Sequence, residues 1–371
     1  MRSATAEILQ DRIVIGLVTG DPAGVGAELT VRMLTDHSLV ESTQLVVIGS
    51  RRVLAHAAAL CKTVVDLPVL PLEDLTRQKL EAMAGHVFVE TRTDGELGKL
   101  ACGEATAAGG AFALANFRIG IDLTNRQLLD ALSFGPFNKY AMRLAYAPYE
   151  DEIAFISSAL DSGNGVAEFN VADIWTGRVT SHVPLSEVAS LITREAVLRR
   201  LVLTDRLMRA GGVAAPRIAV AGLNPHAGDN GNFGREEIDV IEPAVHEGRR
   251  LGIDCDGPFS ADTVFIRASK GDYNAVLTMY HDQGQIAMKL MNFDRGVVLF
   301  GGFPFPVCTP AHGTAYDIAG QGIASPGAMR AAITLAAKMV REARRATKEG
   351  SNAATFNASK QEPVTNIEEV S

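Results

Sequence analysis

Cysteine is scarce and scattered in this chain. Its four copies, Cys61, Cys102, Cys255 and Cys308, form no CxxC pair. That excludes a disulfide framework or a thiolate zinc site as the organising principle, and it fits the reduced thiols of a cytosolic enzyme. No run approaches the roughly 18 apolar residues of a membrane-spanning helix. The opening stretch, MRSATAEILQDR, has no apolar signal core, so a cytoplasmic protein with no membrane partner is expected. Long basic blocks are also missing, and the formal net charge is −8. A nucleic-acid or membrane-surface partner would call for a basic face. The short basic cluster from Arg341 to Lys348 reads as a solvated helix end. Aromatics make up only 6%, while Ala, Gly, Val and Leu abound, a mixture suited to helices packed on a parallel sheet.

What is present is a chain of 371 residues, 47% of them apolar, enough for two domains or one large α/β unit. Apolar runs that end in Gly or Pro alternate with helical patterns. RIVIGLVTG and QLVVIGS read as buried strands, and HVFVET as a third. GEATAAGGAFALANFRIGIDL reads as an Ala-rich helix. AEFNVADIWTGRVTSHVP has the two-residue alternation of a strand pair, and RIAVAGLNPHAG and AVLTMYHDQG each read as a strand followed by a loop. PGAMRAAITLAAKMVREAR reads as a closing helix. The alternation predicts an α/β fold with a mostly parallel sheet. Residues 1–11 and 347–371 are polar and aperiodic and are expected to be flexible tails.

In such sheets ligands sit beyond the carboxyl ends of strands. Three histidines fall there: His182 after GRVTS, His226 after IAVAGLNP and His281 after AVLTMY. Three neutral imidazoles meeting at one sheet edge would hold Zn²⁺ or another divalent ion and leave positions open for water or substrate. Asp282 and Asp262 could orient the rings. A single loop histidine is more often a hydrogen-bonding residue than a ligand, and three from separate segments lack a local spacing signature. Lys289 follows His281 by eight residues and could bind a carboxylate or move a proton; alone, it would more often be a surface lysine. Three Gly-bearing loops, GDPAGVGAE, NPHAGDNGNFG and AHGTAYDIAG, could hold an anion or wrap a nucleotide with backbone groups. Each could equally be a tight turn with no ligand. Neither GxGxxG nor GxxxxGK[ST] occurs in them.

Taken together, GDPAGVGAE, GPFNK, TSHVPL, GLNPHAGDNGNFGREEIDVIEPAV, GPFSADTVF, MYHDQGQIAMK and HGTAYDIAGQG occur in the order of the PdxA family, the 4-hydroxythreonine-4-phosphate dehydrogenases. The resemblance covers roughly residues 12 to 345. It implies the two-domain fold of isocitrate and isopropylmalate dehydrogenases, with the active site in the interdomain cleft. Residues 12–137 and 298–346 would form an NAD-binding domain, and 138–297 a domain for metal, substrate and dimerisation. It further implies a homodimer with shared active sites, in which His182, His226 and His281, drawn from both subunits, hold the metal. Zn²⁺ is the foremost candidate, with Mg²⁺, Mn²⁺ and Co²⁺ as alternatives. The cofactor loop, for NAD or NADP, would run through His312, Gly313, Thr314, Ala315 and Asp317, with Asn224 beside it. Lys289, Asp262 and Asp282 would be catalytic, and Lys289, Glu152, Asp21 and Lys139 would meet the substrate. The implied reaction oxidises a secondary alcohol in a hydroxy acid and then loses CO₂.

The match has gaps. Glu152 and Ile153 are read as replacing the family's His-Thr pair, Val298 an Asn and Val307 an Arg. Donors suited to a phosphorylated, amino-bearing substrate are thus acidic or apolar, and Glu152 would repel a phosphate. The expectation is an intact metal and NAD apparatus with an altered substrate, such as a four-carbon sugar acid or a cis-dihydrodiol carboxylate. A metal-dependent hydrolase and a non-catalytic binding homologue are the alternatives of another class.

Overall fold

The computed structural model describes residues 12–40, 43–99, 101–163, 165–291 and 295–349. In chain order the strands are β1 Ile13–Val18, β2 Thr43–Gly49, β3 Val69–Pro71, β4 Val87–Glu90, β5 Ala131–Phe134 and β6 Ala167–Val171. They continue with β7 Trp175–Arg178, β8 Ile218–Ala221, β9 Cys255–Phe259, β10 Ala275–Thr278, β11 Val297–Gly301 and β12 Val307–Pro310. The helices are α1 Gly26–Leu34, α2 His37–Val40, α3 Arg51–Leu60, α4 Arg77–Ala82, α5 Ala107–Asn125, α6 Lys139–Ala145 and α7 Glu152–Leu160. After them come α8 Leu185–Leu191, α9 Arg194–Ala210, α10 Glu242–Arg250, α11 Ala261–Ser269, α12 His281–Met291 and α13 Gly327–Lys348.

The twelve strands of the described residues join one sheet in the order β3-β4-β2-β1-β5-β12-β11-β6-β7-β10-β8-β9. The fold is α/β and mostly parallel, as the alternation of patterns predicts. β1 and β2 are continuous apolar runs because both their faces are covered, and every residue in them is buried. The antiparallel pairs are confined to the middle, at β12–β11, β11–β6 and β6–β7. Three reversals across that seam make the parallel half containing β1 and the parallel half containing β10 run in opposite senses.

Helix starts follow local chemistry. Side chains of Thr106, Asn138, Asp151 and Thr193 each accept a hydrogen bond from a first-turn amide of the helix that follows. α13 buries Ala328, Met329, Ala332, Ile333, Ala336, Ala337 and Val340, a stripe at helical spacing that faces the sheet. Its last turn takes in Thr347 and Lys348, so the helix runs past the expected start of the tail. The expected tails themselves, 1–11 and 350–371, lie outside the described residues. Around the β5 end an aromatic cluster forms, with the Phe117 and Phe134 rings 4.8 Å apart and Phe155, Phe300 and Phe303 packed beside them. α5 meets α6 closely enough that a Cβ on Gly110 would lie 1.9 Å from the Ala141 carbonyl oxygen, so only glycine fits there. All four cysteines are free thiols. Among the described residues no helix is long and apolar enough to cross a membrane.

Candidate active site

The three histidine-bearing segments leave three neighbouring strands. β10 pairs in parallel with β7 on one side and β8 on the other, so His182, His226 and His281 all follow the carboxyl ends of adjacent strands. Pairing continues past β7 and β10. The Val179 amide donates to the Thr278 carbonyl at 2.9 Å and the Thr180 amide to Met279 at 3.0 Å. That register carries His182 next to His281, with ring centroids 5.5 Å apart. A cavity of about 250 Å³ opens against Thr180, Ser181, His182, Tyr280, His281 and Asp282.

Each of these two rings is held by a carboxylate. His182 Nδ1 lies 3.0 Å from Asp151 Oδ2, and His281 Nδ1 lies 2.6 Å from Asp282 Oδ1. A carboxylate only accepts, so Nδ1 carries the proton and the Nε2 lone pair is left for another partner. The bond to Asp151 outweighs burial and raises the His182 pKa. Burial opposes the charge on Asp151, but the bonds from His182 and the Ala154 amide prevail and hold its carboxyl below the usual range.

The residue after Asp282 ties the strand ends together. Gln283 Oε1 accepts from the Met279 amide at 2.7 Å, and its Nε2 donates to the Gly222 carbonyl at 2.8 Å. The HDQG segment is thus the first turn of α12 rather than a loop, which corrects the reading of that stretch. The helix also separates its two charged ends. At about 1.5 Å rise per residue, Lys289 stands about 12 Å along the axis from His281, and it is exposed. Asp262 is exposed in the first turn of α11.

His226 sits in a strained turn. His226, Ala227, Asp229 and Asn230 all have left-handed backbones, with Gly228 among them. His182 and Ala315 are left-handed too, so among the described residues six of the ten non-glycine residues with positive φ lie in three motifs of the candidate site. Such strain persists only where surrounding structure enforces it. For the His226 loop the enforcer is Glu237, which is 2% exposed. Its Oε1 accepts from the amides of Leu223 and Asn224, both at 2.7 Å. Its Oε2 accepts from Asn224 Nδ2 at 3.0 Å. Asn224 also donates to Glu236 at 2.7 Å, so within this chain its amide serves the loop. One chain therefore unites two of the three histidines. Among the described residues, no group of three or more His, Cys, Asp or Glu side chains is placed to hold an ion.

The dinucleotide-loop candidate and the first Gly-rich loop form one construction. The Val25 amide donates to the Thr314 carbonyl at 3.0 Å. A Cβ on Gly24 would come within 2.8 Å of Thr314. Tyr316 donates its hydroxyl to Asp21 Oδ2 at 2.7 Å, and the Ala23 amide donates to Asp21 Oδ1 at 2.8 Å. Asp21 is buried, and burial raises its pKa. The Gly320 amide donates to Glu28 Oε1 at 2.7 Å. His312, Gly313, Ala315 and Asp317 remain partly or fully open to solvent while Thr314 is buried.

Lys139 and Glu152 form an ion pair at 3.3 Å, so Glu152 does not stand as a bare charge. Ile153 packs on the aromatic cluster. The residue facing His182 from this segment is Asp151, which the sequence reading passed over. An Asp directly before the helical run EIAFISS is a helix-cap signal that could have found it.

The family described as pyridoxal phosphate biosynthetic protein PdxA matches residues 41–336. The chain belongs to the PdxA family. A PdxA relative from Rhizobium meliloti, provisionally named 4-hydroxythreonine-4-phosphate dehydrogenase 2, is 51% identical over 334 residues, covering 90% of this chain and 95% of its own. One from Clostridium botulinum, provisionally named D-threonate 4-phosphate dehydrogenase, is 33% identical and covers 89% of this chain and 98% of its own. The crystal structure of 4-hydroxythreonine-4-phosphate dehydrogenase from Klebsiella pneumoniae superposes with a TM-score of 0.73 at 30% identity, covering 88% of this chain and 99% of that one. Against the PdxA pattern, Val307 is fully buried in the aromatic cluster and Val298 packs against it.

Proposed function

We propose that this PdxA-family chain is an NAD(P)-dependent dehydrogenase that oxidises the secondary alcohol of a small hydroxy acid, with decarboxylation following. In this reading it works as a homodimer whose two chains share each site. His182 and His281 of one chain and His226 of a second copy hold a divalent ion, Zn²⁺ foremost, with Mg²⁺, Mn²⁺ or Co²⁺ as alternatives. The observation that carries the reading is the imidazole pair, 5.5 Å apart, with each Nδ1 bound to a carboxylate and each Nε2 left available. The dehydrogenase names borne by relatives at 51% and 33% identity support it. When bound, the ion supplies Lewis acidity at the alcohol oxygen and the nicotinamide takes the hydride.

The rest is the work of this chain's own residues. Asp151 and Asp282 fix the orientation of the rings. The His312–Asp317 loop, braced by Asp21 and Glu28, receives the dinucleotide, with Asn224 shaping the neighbouring loop. Lys289 and Asp262, both exposed, are the proposed groups for moving protons in the assembled dimer, and Lys139 with Glu152 lines the substrate. The test is reduction of NAD⁺ or NADP⁺, followed by absorbance of the reduced nicotinamide. The substrates are 4-phosphooxy-L-threonine, D-threonate 4-phosphate and their unphosphorylated counterparts, with a divalent metal and then with chelator. Metal-dependent reduction and CO₂ release are expected with at least one of them. Undiminished turnover in chelator would sink the metal role. No reduction with any of the four or with a cis-dihydrodiol carboxylate, while NAD and metal still bind, would refute the dehydrogenase reading.

A further inference from the structure

A second cavity, of about 420 Å³, lies on the far side of His182. Its walls include Ser157, Arg178, Ser181, His182 and Arg200, together with the acidic residues Glu150, Asp151 and Glu168. Both arginines keep a buried nitrogen without a hydrogen-bond partner among the described residues, but only Arg178 has a carboxylate beside it. Arg178 is 3% exposed; its Nη1 donates to Asn170 at 2.9 Å and its Nε to Ser181 Oγ, while its Nη2 forms an ion pair with Glu168 at 2.8 Å but makes no hydrogen bond among the described residues. Arg200 projects from the middle of α9, and its buried Nε has no hydrogen-bond partner among the described residues. The acids of the cavity have other partners. Glu168 serves Arg178, Asp151 serves His182 and the α7 cap, and Glu150 is exposed.

A guanidinium offers five donors in a planar fork, and leaving one desolvated without an acceptor is costly. Glu168 offsets the charge of Arg178, whereas no ion pair engages Arg200 among the described residues, so an added anion would meet an uncompensated cation. Burial, then Arg199 and Arg178, push the Arg200 pKa down to about 10, which leaves it cationic at neutral pH. Ser181 accepts from Arg178 and keeps its own hydroxyl proton to donate.

We propose that the cavity between Arg178 and Arg200 seats the anionic end of the substrate, a phosphate monoester or a carboxylate, and so sets substrate specificity. This rests on the proposed dehydrogenase reading and names the part of the substrate that the site selects. The wall shared with His182 would place the carbon chain beyond that anion at the imidazole pair. It also supplies an anion-binding group to a chain whose family positions at Val298 and Val307 are apolar.

The experiment uses full-length, metal- and NAD-loaded protein with Arg200→Met and Arg200→Lys. Binding of 4-phosphooxy-L-threonine, D-threonate 4-phosphate, D-threonate and inorganic phosphate is measured by calorimetry, and KM and kcat are separated wherever turnover occurs. Losing charge-assisted hydrogen bonds is expected to weaken binding roughly 10- to 100-fold in Arg200→Met, mainly in KM, with partial recovery in Arg200→Lys. Weakening confined to the phosphorylated ligands and inorganic phosphate identifies a phosphate seat. Equal weakening with D-threonate identifies a carboxylate seat. Unchanged affinity for every ligand in folded Arg200→Met overturns the proposal, as does a variant that loses only its dimeric state. If Arg200→Met does not fold, unchanged affinities in Arg200→Lys together with no thermal stabilisation of the wild type by phosphate overturn it as well. If the wild type reduces no nicotinamide but binds phosphate through Arg200, the seat stands and the dehydrogenase reading falls.

Discussion

Glu237 offers a direct test of how the His226 loop is held. Its carboxylate takes two backbone amides at 2.7 Å and the Asn224 side chain at 3.0 Å, all in a 2% exposed position. The glycines around it leave it room: a Cβ on Gly228 would come within 2.7 Å of its Oε2, and one on Gly222 within 3.0 Å of its Oε1. Glu237→Gln keeps the shape. The two amides then donate to a neutral carbonyl, a loss of about 1 kcal/mol each. The new amide nitrogen faces Asn224 Nδ2, donor against donor, for about another 1 kcal/mol. Flipping Asn224 would relieve that clash but break its bond to Glu236. The expected destabilisation is therefore about 3 kcal/mol, a large share of the 5–15 kcal/mol typical of folded domains. Glu237→Ala, which leaves two amides without an acceptor and opens a void, should cost about 5 kcal/mol. Denaturant titration measures both, and equilibrium dialysis measures metal affinity on the same samples. Metal affinity should fall at least tenfold in Glu237→Gln, because the left-handed turn carrying His226 relaxes. A Glu237→Gln protein with wild-type stability and metal affinity would refute the idea that this carboxylate enforces the turn.

Two more outcomes follow from the same geometry. His86 is buried, accepts from the Leu45 amide through Nδ1 at 3.1 Å, and has its pKa lowered to about 4 by burial and then by Arg12. The unfolded chain binds a proton there near pH 6.5 while the folded chain does not. Stability should therefore fall as pH drops from about 6.5 to about 4, by up to about 3 kcal/mol. His86→Gln should lose that part of the slope in urea titrations across the range, and parallel slopes would count against it. Separately, if His226 acts across the dimer, inactive His226→Ala and inactive His182→Ala chains should regain activity when unfolded and refolded together. Random pairing leaves one intact site in half the dimers, or about a quarter of wild-type activity; no recovery would place all three ligands in one chain.

Much of this site can be read in linear order, because strand ends in parallel sheets are marked by apolar runs that stop at Gly, Pro or polar residues. His182, His226 and His281 are found that way, and the sheet order β7-β10-β8 makes their strands neighbours, although within one chain only His182 and His281 come together. The local cap signal at Asp151 marks a helix start, but its contact with His182 spans 31 residues and no local pattern announces that role. The anion cavity was missed for a related reason. Arg200 occupies an ordinary position in a helical pattern, and only packing shows that its Nε is buried without a partner. HDQG looked like a loop because its polar residues interrupt an apolar run, yet Gln283 bonds to Met279 and Gly222 and opens a helix.

The amino-acid order alone determined the α/β class, the strand ends that carry the histidines and the membership in the PdxA family. Those features rest on local periodicity, turn chemistry and motif order, which are properties of short segments. Tertiary structure decided which side chains meet. It paired Glu152 with Lys139, turned Val307 into the aromatic core and set Asp151 against His182. It also left Arg200 facing Arg178 across a cavity. Burial and pairing depend on what the rest of the chain brings to each position, and only the folded packing supplies that.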